Sequence, residues 1–279
     1  MDEFELIKKY FTPAKNLRRD VVLGVGDDAA LIKIPPNELL VTAVDTLVEK
    51  THFVTTADPS DVGYKALAVN LSDFAAMGAT PAWVTLALTI PFADIDWLPR
   101  FKQGLFPLME EYHLQLVGGD TTRGPLTISI QLQGYIPENL AMQRNQAQVG
   151  DVIYVTGNIG EAALALALQN QKINLLLNDQ DKKIIFERLN RPQPRVNVGL
   201  AIREMVRCAI DISDGLIADL SHILTASKVG ATIHLEKIPL PQGIDKNSMT
   251  QNLWELIVSG GDDYELCFTV SPEKITELE

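Results

Sequence analysis

Aspartate recurs in this chain beside Gly, Ser or Thr at the ends of apolar runs, and that placement limits what the fold can be. "GVGDDAAL" holds Asp28, "TAVDTL" Asp45, "NLSDFAAMG" Asp73 and "LVGGDTTRG" Asp120. "AIDISDG" adds Asp211 and Asp214, and "SGGDDYEL" adds Asp262 and Asp263. Any one of them is explained as a cap or turn residue, since Asp readily bonds its own backbone. The set asks for more. Asp28, Asp45, Asp73, Asp120 and Asp211 each follow or end an apolar element, the position from which side chains of several elements converge on one crevice. Two like charges 4 Å apart cost about 4 kcal/mol at an effective dielectric of 20, so converging carboxylates need a counter-charge. A divalent cation supplies it.

Composition narrows the partners. With 36 acidic against 24 basic residues the net charge is −12, which excludes a nucleic-acid backbone or an anionic membrane as the main partner. With 279 residues and 46% hydrophobic content, two domains are expected, 1–148 and 149–279. Cys208 and Cys267 lie in apolar runs and read as small buried hydrophobes, consistent with a cytoplasmic protein. "MDEFELIKKYF" is acidic and amphipathic, and no long uncharged run occurs, so neither a signal peptide nor a membrane span is expected.

Periodicity organises the chain. "VVLGVGDDAALIKI" predicts two short strands around the Gly-Asp-Asp turn, and "ELLVTAVDTL" a strand ending near Asp45. A helix is predicted from Ser60 to a stop at Gly78. "AWVTLALTI" and "LTISIQLQG" alternate at period two, as antiparallel strands with one face suited to a second copy of the chain, and "LQLVGGD" predicts a strand running into a turn. "VGDVIYVTGNIGEAALALALQN" predicts a buried strand, a glycine turn and a helix, and "NDQDKKIIFERLNRPQPR" a surface helix with a proline-rich connection. "RCAIDISDGLIADLSHILTAS" predicts strand, turn and helix with Ser213 or Asp214 as N-cap, and "NLWELIVSGGDDYELCFTV" helix, Gly-Gly turn and strand. The alternation points to an α/β (α+β) class.

With no Cys before Cys208 and only His52 among histidines near these motifs, the candidate ligands are hard oxygens, which suit Mg²⁺ or Mn²⁺ better than Zn²⁺. Mg²⁺ bridges carboxylates to substrate phosphates, so an acidic protein can still bind a polyphosphate. Neither G-x-x-x-x-G-K-S/T nor G-x-G-x-x-G is present, against a P-loop, Rossmann or protein-kinase site.

Taken in order, "GDDAAL", "VDTLVEKTHF", "KALAVNLSDFAAMGATP", "GGDTTRGP", "DVIYVTG", "AIDISDGL" and "SGGDDYEL" resemble the thiamine-monophosphate kinases of the aminoimidazole ribonucleotide synthetase-like superfamily, over the chain to about Phe268. The resemblance implies a two-domain fold with N-terminal strands pairing across a homodimer, and ATP with several Mg²⁺ bound between the domains. It implies phosphorylation of thiamine monophosphate to thiamine diphosphate. Asp28, Asp45, Asp73, Asp120, Asp211 and Asp214 match metal ligands; Gly119, Asp120, Arg144 and Ser213 match ATP contacts; His52 and Asp262 match contacts to thiamine phosphate. No side-chain nucleophile or base is implied, and Asp120 is the most critical residue. Other ATP-using enzymes of the superfamily, or a non-catalytic metal- and nucleotide-binding regulator, are the alternatives.

The chain departs from the family pattern at three points. Ala43 and Val44 stand where Ser-Thr is common, leaving Val44 only its backbone for a metal. Asp262 replaces the usual Glu, and the sequence stops at "KITELE", before a segment that in such enzymes carries an aromatic contact to thiamine. Outside the resemblance, His52 reads equally as a polar loop residue and Arg144 as a surface arginine. Asp263 and Glu265 read as solvated or structural residues of a strand, and Asp219 as a solvated helix face.

Overall fold

The short apolar runs on either side of the Gly24–Ala30 turn pair as expected, β1 (Val21–Leu23) antiparallel to β2 (Leu31–Ile32). Their base is tied down electrostatically. Arg18 Nη2 donates to Asp20 Oδ2 at 2.6 Å, and Trp83 Nε1 donates to Asp20 Oδ1 at 3.2 Å. Burial alone would raise the Asp20 carboxyl, but these donors hold it below the usual range. The computed structural model describes every residue except 1–4, 6, 13–17, 93 and 95. Contacts divide it into two units, Met1–Phe74 with Ala79–Asn139, and Ala75–Gly78 with Leu140–Glu279.

The first unit is built on a four-stranded sheet made of β3 (Glu38–Val48), β4 (Thr80–Ile90), β5 (Gln115–Arg123) and β6 (Thr127–Pro137), in the order β3-β6-β4-β5. The β3/β6 and β6/β4 pairs are antiparallel, and β4/β5 is parallel. β6 shows why period two was readable: Ile128, Ile130, Leu132 and Ile136 are buried, while Ser129, Gln131, Gln133 and Tyr135 form a half-buried polar face. β3 runs three residues past Asp45, and β5 continues through Gly118-Gly119-Asp120 instead of turning there. Ladder bonds to β4 keep that stretch extended. The two strands read as suited to a second copy are internal, so their backbone edges are already used.

Helix α1 (Pro59–Met77) begins with Pro, whose fixed φ suits the first turn, and Asp58 Oδ1 accepts the Ser60 N–H at 2.9 Å. The cap is therefore Asp58, not Ser60. Gly78, at φ +68°, ends the helix. Val62, Leu67, Val69, Leu71 and Phe74 are buried around its circumference, the pattern of a helix enclosed by the fold. Each fully buried Leu or Phe contributes roughly 1.5–3 kcal/mol. α2 (Trp97–Glu111) crosses α1 closely, because a Cβ on Gly104 would lie 1.7 Å from the Ser60 carbonyl oxygen.

The second unit holds a three-stranded antiparallel sheet made of β7 (Val152–Val155), β8 (Cys208–Asp211) and β9 (Leu266–Val270), in the order β7-β9-β8. β9, at the centre, is buried throughout, and Cys208 and Cys267 are buried free thiols. β7, expected to be buried, is an edge strand with Val152 exposed. Helices α3 (Glu161–Gln169), α4 (Asp179–Asn190), α5 (Val196–Ile202), α6 (Leu216–Ser227), α7 (Gln251–Ser259) and α8 (Ile275–Leu278) complete it. The predicted surface helix α4 is capped by Asn178, which accepts the Asp181 N–H at 2.8 Å, and it buries Ile185 and Leu189.

Candidate functional site

In the first unit, the Gly26–Ala30 loop and the Gly118–Thr121 stretch of β5 border one cavity of about 750 Å³, with Leu86, Leu116 and Val117 as apolar wall. Asp28, Gly119 and Asp120 line it, and both acids are exposed. Asp27 and Asp28 both border the cavity, and Asp27 Oδ1 in addition accepts the Asp28 N–H at 2.8 Å and shapes the turn. At Gly119 a Cβ would lie 2.0 Å from the Leu86 carbonyl oxygen, so only glycine lets β5 follow β4 there.

A second acidic group forms where β3 meets α1. Asp45 sits beside Asp73 and near His52; burial pushes its carboxyl up, and His52 and Asp73 oppose that rise. His52 Nδ1 accepts the Val48 N–H at 3.0 Å, which puts the proton of the neutral ring on Nε2. Val44 is 63% exposed and, by strand alternation, points to the face opposite Asp45, so its side chain is no partner of the pair. Register aligns Asp45, Ile130, Leu86 and Gly119 in one row across four strands, roughly 14 Å from end to end at the usual strand spacing. Asp120 therefore stands apart from the Asp45–Asp73 pair. Among the described residues no group of three or more His, Cys, Asp or Glu is close enough to hold a metal ion. Two adjoining carboxylates, one destabilised by burial, nonetheless fit a hard divalent ion, because Mg²⁺ is commonly held by one or two carboxylates and keeps several waters.

In the second unit, the turns after β8 and before β9 lie backbone to backbone. Asp262 N–H donates to Ser213 O at 2.9 Å, Tyr264 N–H to Ile212 O at 2.8 Å, and Ile212 N–H to Glu265 O at 2.8 Å. This sets the Asp211–Asp214 segment and Asp262 side by side through their backbones, without gathering their carboxylates into a group of three that could hold a metal. Asp211 is buried, Ser213 half-buried and Asp214 exposed. Asp262 and Tyr264 adopt φ +70° and +52°, left-handed values uncommon outside glycine, and the Tyr264 hydroxyl donates to Asp262 Oδ1 at 3.1 Å. Arg144 is not part of this pairing. Its carbonyl accepts from Ser227 Oγ at 2.9 Å, and neighbouring Gln143 N–H donates to Arg207 O at 2.7 Å, at the opposite end of β8.

Three readings of the sequence are corrected here. Neither Ser213 nor Asp214 caps α6; Gly215 precedes the helix without a side-chain cap. Asp219 is not a solvated residue: it is 3% exposed, and its Oδ2 accepts the N–H groups of Ser213, Asp214 and Gly215 at 3.0, 3.0 and 3.1 Å. Burial raises its carboxyl, Asp214 adds to the rise, and the three donors oppose it. Asp263 and Glu265, read as solvated or structural strand residues, are structural and buried, but they precede the strand instead of lying in it. Asp263 accepts the Gly160 N–H at 2.7 Å at the start of α3, and burial pushes its carboxyl up to about 7. The only sequence sign of Asp219 was an acid in the first turn after "SDG"; Asp263 and Glu265 had none. A cavity of about 490 Å³ in the same unit, between the Gln148–Ile153 edge and α6, contains no predicted site residue.

The class follows from these acidic loops and sheets. Residues 26–136 match the N-terminal domain of AIR synthase related proteins, and residues 148–278 match the C-terminal domain. The chain is 46% identical over 279 residues to a thiamine-monophosphate kinase of Buchnera aphidicola subsp. Acyrthosiphon pisum (strain APS), covering 99% of this chain and 85% of that protein. The crystal structure of a thiamine-monophosphate kinase from Stenotrophomonas maltophilia K279a superposes with a TM-score of 0.86 at 43% identity, covering 94% of this chain and 84% of that one. "AaThiL complexed with AMPPCP and TMP" superposes at 0.77 with 28% identity, covering 99% and 86%. The chain belongs to the AIR synthase related family, in its thiamine-monophosphate kinase branch.

Proposed function

We propose that the protein transfers the γ-phosphoryl group of ATP to the phosphate of thiamine monophosphate, giving thiamine diphosphate and ADP. The observation that carries this reading is identity near one half to thiamine-monophosphate kinases along the whole chain, with a structural relative that holds AMPPCP and TMP. The acceptor phosphate has a second pKa near 6 and is largely dianionic at neutral pH, so no general base is required. The protein's task is to align two anions and neutralise charge, as a loose phosphoryl-transfer transition state demands.

In this reading Asp28, Asp45, Asp73, Asp120, Asp211 and Asp214 hold Mg²⁺, with Val44 contributing at most its carbonyl. The metal's chemistry is to shield the phosphates and polarise the γ-phosphoryl group. Gly119, Asp120 and Ser213 contact ATP, joined by Arg144 through its exposed side chain. His52 offers the Nε2 proton to thiamine phosphate, and Asp262, pinned by Tyr264, meets the same substrate. The protein works in the cytoplasm as a homodimer of two-domain subunits, 1–148 and 149–279. Support for the dimer is the outer face of β3, where Leu40 and Val44 are exposed. No described helix is long and apolar enough to cross a membrane.

An ADP-release assay tests the reaction. Turnover is expected only with ATP, Mg²⁺ and thiamine monophosphate together; equal ADP release with unphosphorylated thiamine would sink it.

A further inference from the structure

We propose that Asp219 is a positioning residue for phosphoryl transfer: its carboxylate locks the Ser213–Gly215 turn in the shape that presents Ser213 and Asp214 to nucleotide and metal. The inference rests on the roles given above to Ser213 and Asp214.

The geometry is specific. One carboxylate oxygen accepts three consecutive backbone N–H groups, all within 3.1 Å, and the side chain is shielded from water. Successive N–H groups of a turn form a concavity that binds anions, commonly phosphate or carboxylate. Here the concavity is filled from within the chain, so the turn is set before any ligand arrives. Its other side is equally constrained. Ser213 O is held by the Asp262 N–H, a Cβ on Gly215 would lie 2.7 Å from the Ser259 carbonyl carbon, and one on Gly261 would lie 2.2 Å from Ser213 O. The backbone of the turn has no room to adjust, and the side chains of Ser213 and Asp214 are left to meet ligands. Misplacement by about 1 Å costs on the order of 100-fold in rate, so a rigid turn is worth a buried charge.

Removing the acceptor leaves three N–H groups without their partner. Asn at this position keeps one acceptor oxygen but loses the charge that suits three donors. The test uses the full chain with Asp219→Ala, Asp219→Asn and Asp214→Asn. It measures kcat, the Mg²⁺ concentration for half-maximal activity, and ligand-free melting temperature. Asp219→Ala is expected to lower kcat about 100-fold and raise the Mg²⁺ midpoint about 10-fold in folded protein. Asp219→Asn should recover part of both, within about 10-fold in kcat and with a midpoint still about 3-fold high. A structural role alone lowers the melting temperature without moving the Mg²⁺ midpoint. If Asp219→Ala fails to fold, Asp219→Asn decides: a raised midpoint in a variant folded at the assay temperature supports the proposal, and an unchanged one overturns it. Crippled Asp214→Asn beside normal Mg²⁺ dependence in the Asp219 variants overturns only the positioning role. Normal turnover by Asp214→Asn overturns the reading of the turn itself, and the proposal with it.

Discussion

Arg195 grips Glu265 with two guanidinium bonds, Nε to Oε2 at 2.6 Å and Nη2 to Oε1 at 2.5 Å. The Thr156 hydroxyl adds a third bond to Oε2 at 2.5 Å, and Gly157 approaches so closely that a Cβ there would strike both Glu265 and Arg195. Since the Glu265 side chain is only 5% exposed, removing its partner strands a buried charge. Such a break costs about 3–5 kcal/mol, whereas replacing both partners by apolar residues of similar size is nearly neutral. Arg195→Ala should therefore lose several kcal/mol in urea unfolding, Arg195→Lys should lose less, and Arg195→Met with Glu265→Met should recover most of the loss. A double variant as unstable as Arg195→Ala would show that packing, not the stranded charge, sets the cost.

Asp263 gives stability a pH dependence. Its carboxyl sits near 7 in the folded protein against a usual 3.8, with burial as the main cause and Glu265 and Glu161 adding to it. Between those values the folded state binds the proton more tightly than the unfolded state, so stability from this site is present at the acidic end and is lost as pH rises towards 7. Above that it is level. Melting temperatures measured from pH 5 to 8 should fall more steeply for the natural protein than for Asp263→Asn, which cannot ionise. Parallel curves would remove Asp263 from the account.

Asp120 borders the cavity of the first unit, and in the function proposed above its charge serves ATP phosphates and metal. Asp120→Asn keeps shape and hydrogen-bonding capacity but not charge, and a kcat at least ~100-fold lower is expected at saturating Mg²⁺. Glu110→Gln, at an exposed position near the end of α2, loses the same charge and should change kcat less than about 2-fold. Steady-state rates of the two variants, taken side by side, decide whether position or charge number matters.

The outer face of β3 exposes Leu40 at 51% and Val44 at 63%, above the polar row of Gln131 and Gln133. Light scattering at micromolar concentration should give twice the chain mass. Leu40→Lys, which sets a charge in that face, should shift the protein towards the monomer with little change in melting below the dissociation range. A natural protein that scatters as a monomer ends the dimer proposal.

The sequence alone determined the local grammar of this protein: Gly78 stops α1, whose start it put within a residue, at Ser60, period two marks β4 and β6, and the Gly-Asp motifs mark where acids cluster. Those features depend on neighbours within a few residues, through backbone preferences and side-chain alternation. Tertiary structure alone decided which strands are internal, that β5 continues through Gly119 beside β4, and that Arg144 lies at the far end of β8 from Ser213. It also decided the fate of three acids. Asp219 reads as a solvated helix residue until the 259–265 segment closes over its turn, and Glu265 as a solvated or structural strand residue until Arg195, 70 residues away, is folded against it. Asp263 is assigned to a strand until the start of α3, more than 100 residues away, supplies its N–H donors. Charge and spacing are written in the chain, but burial is a property of everything packed around a residue. A carboxylate's role, as metal ligand, turn lock or buried partner, is settled only when its distant donors arrive.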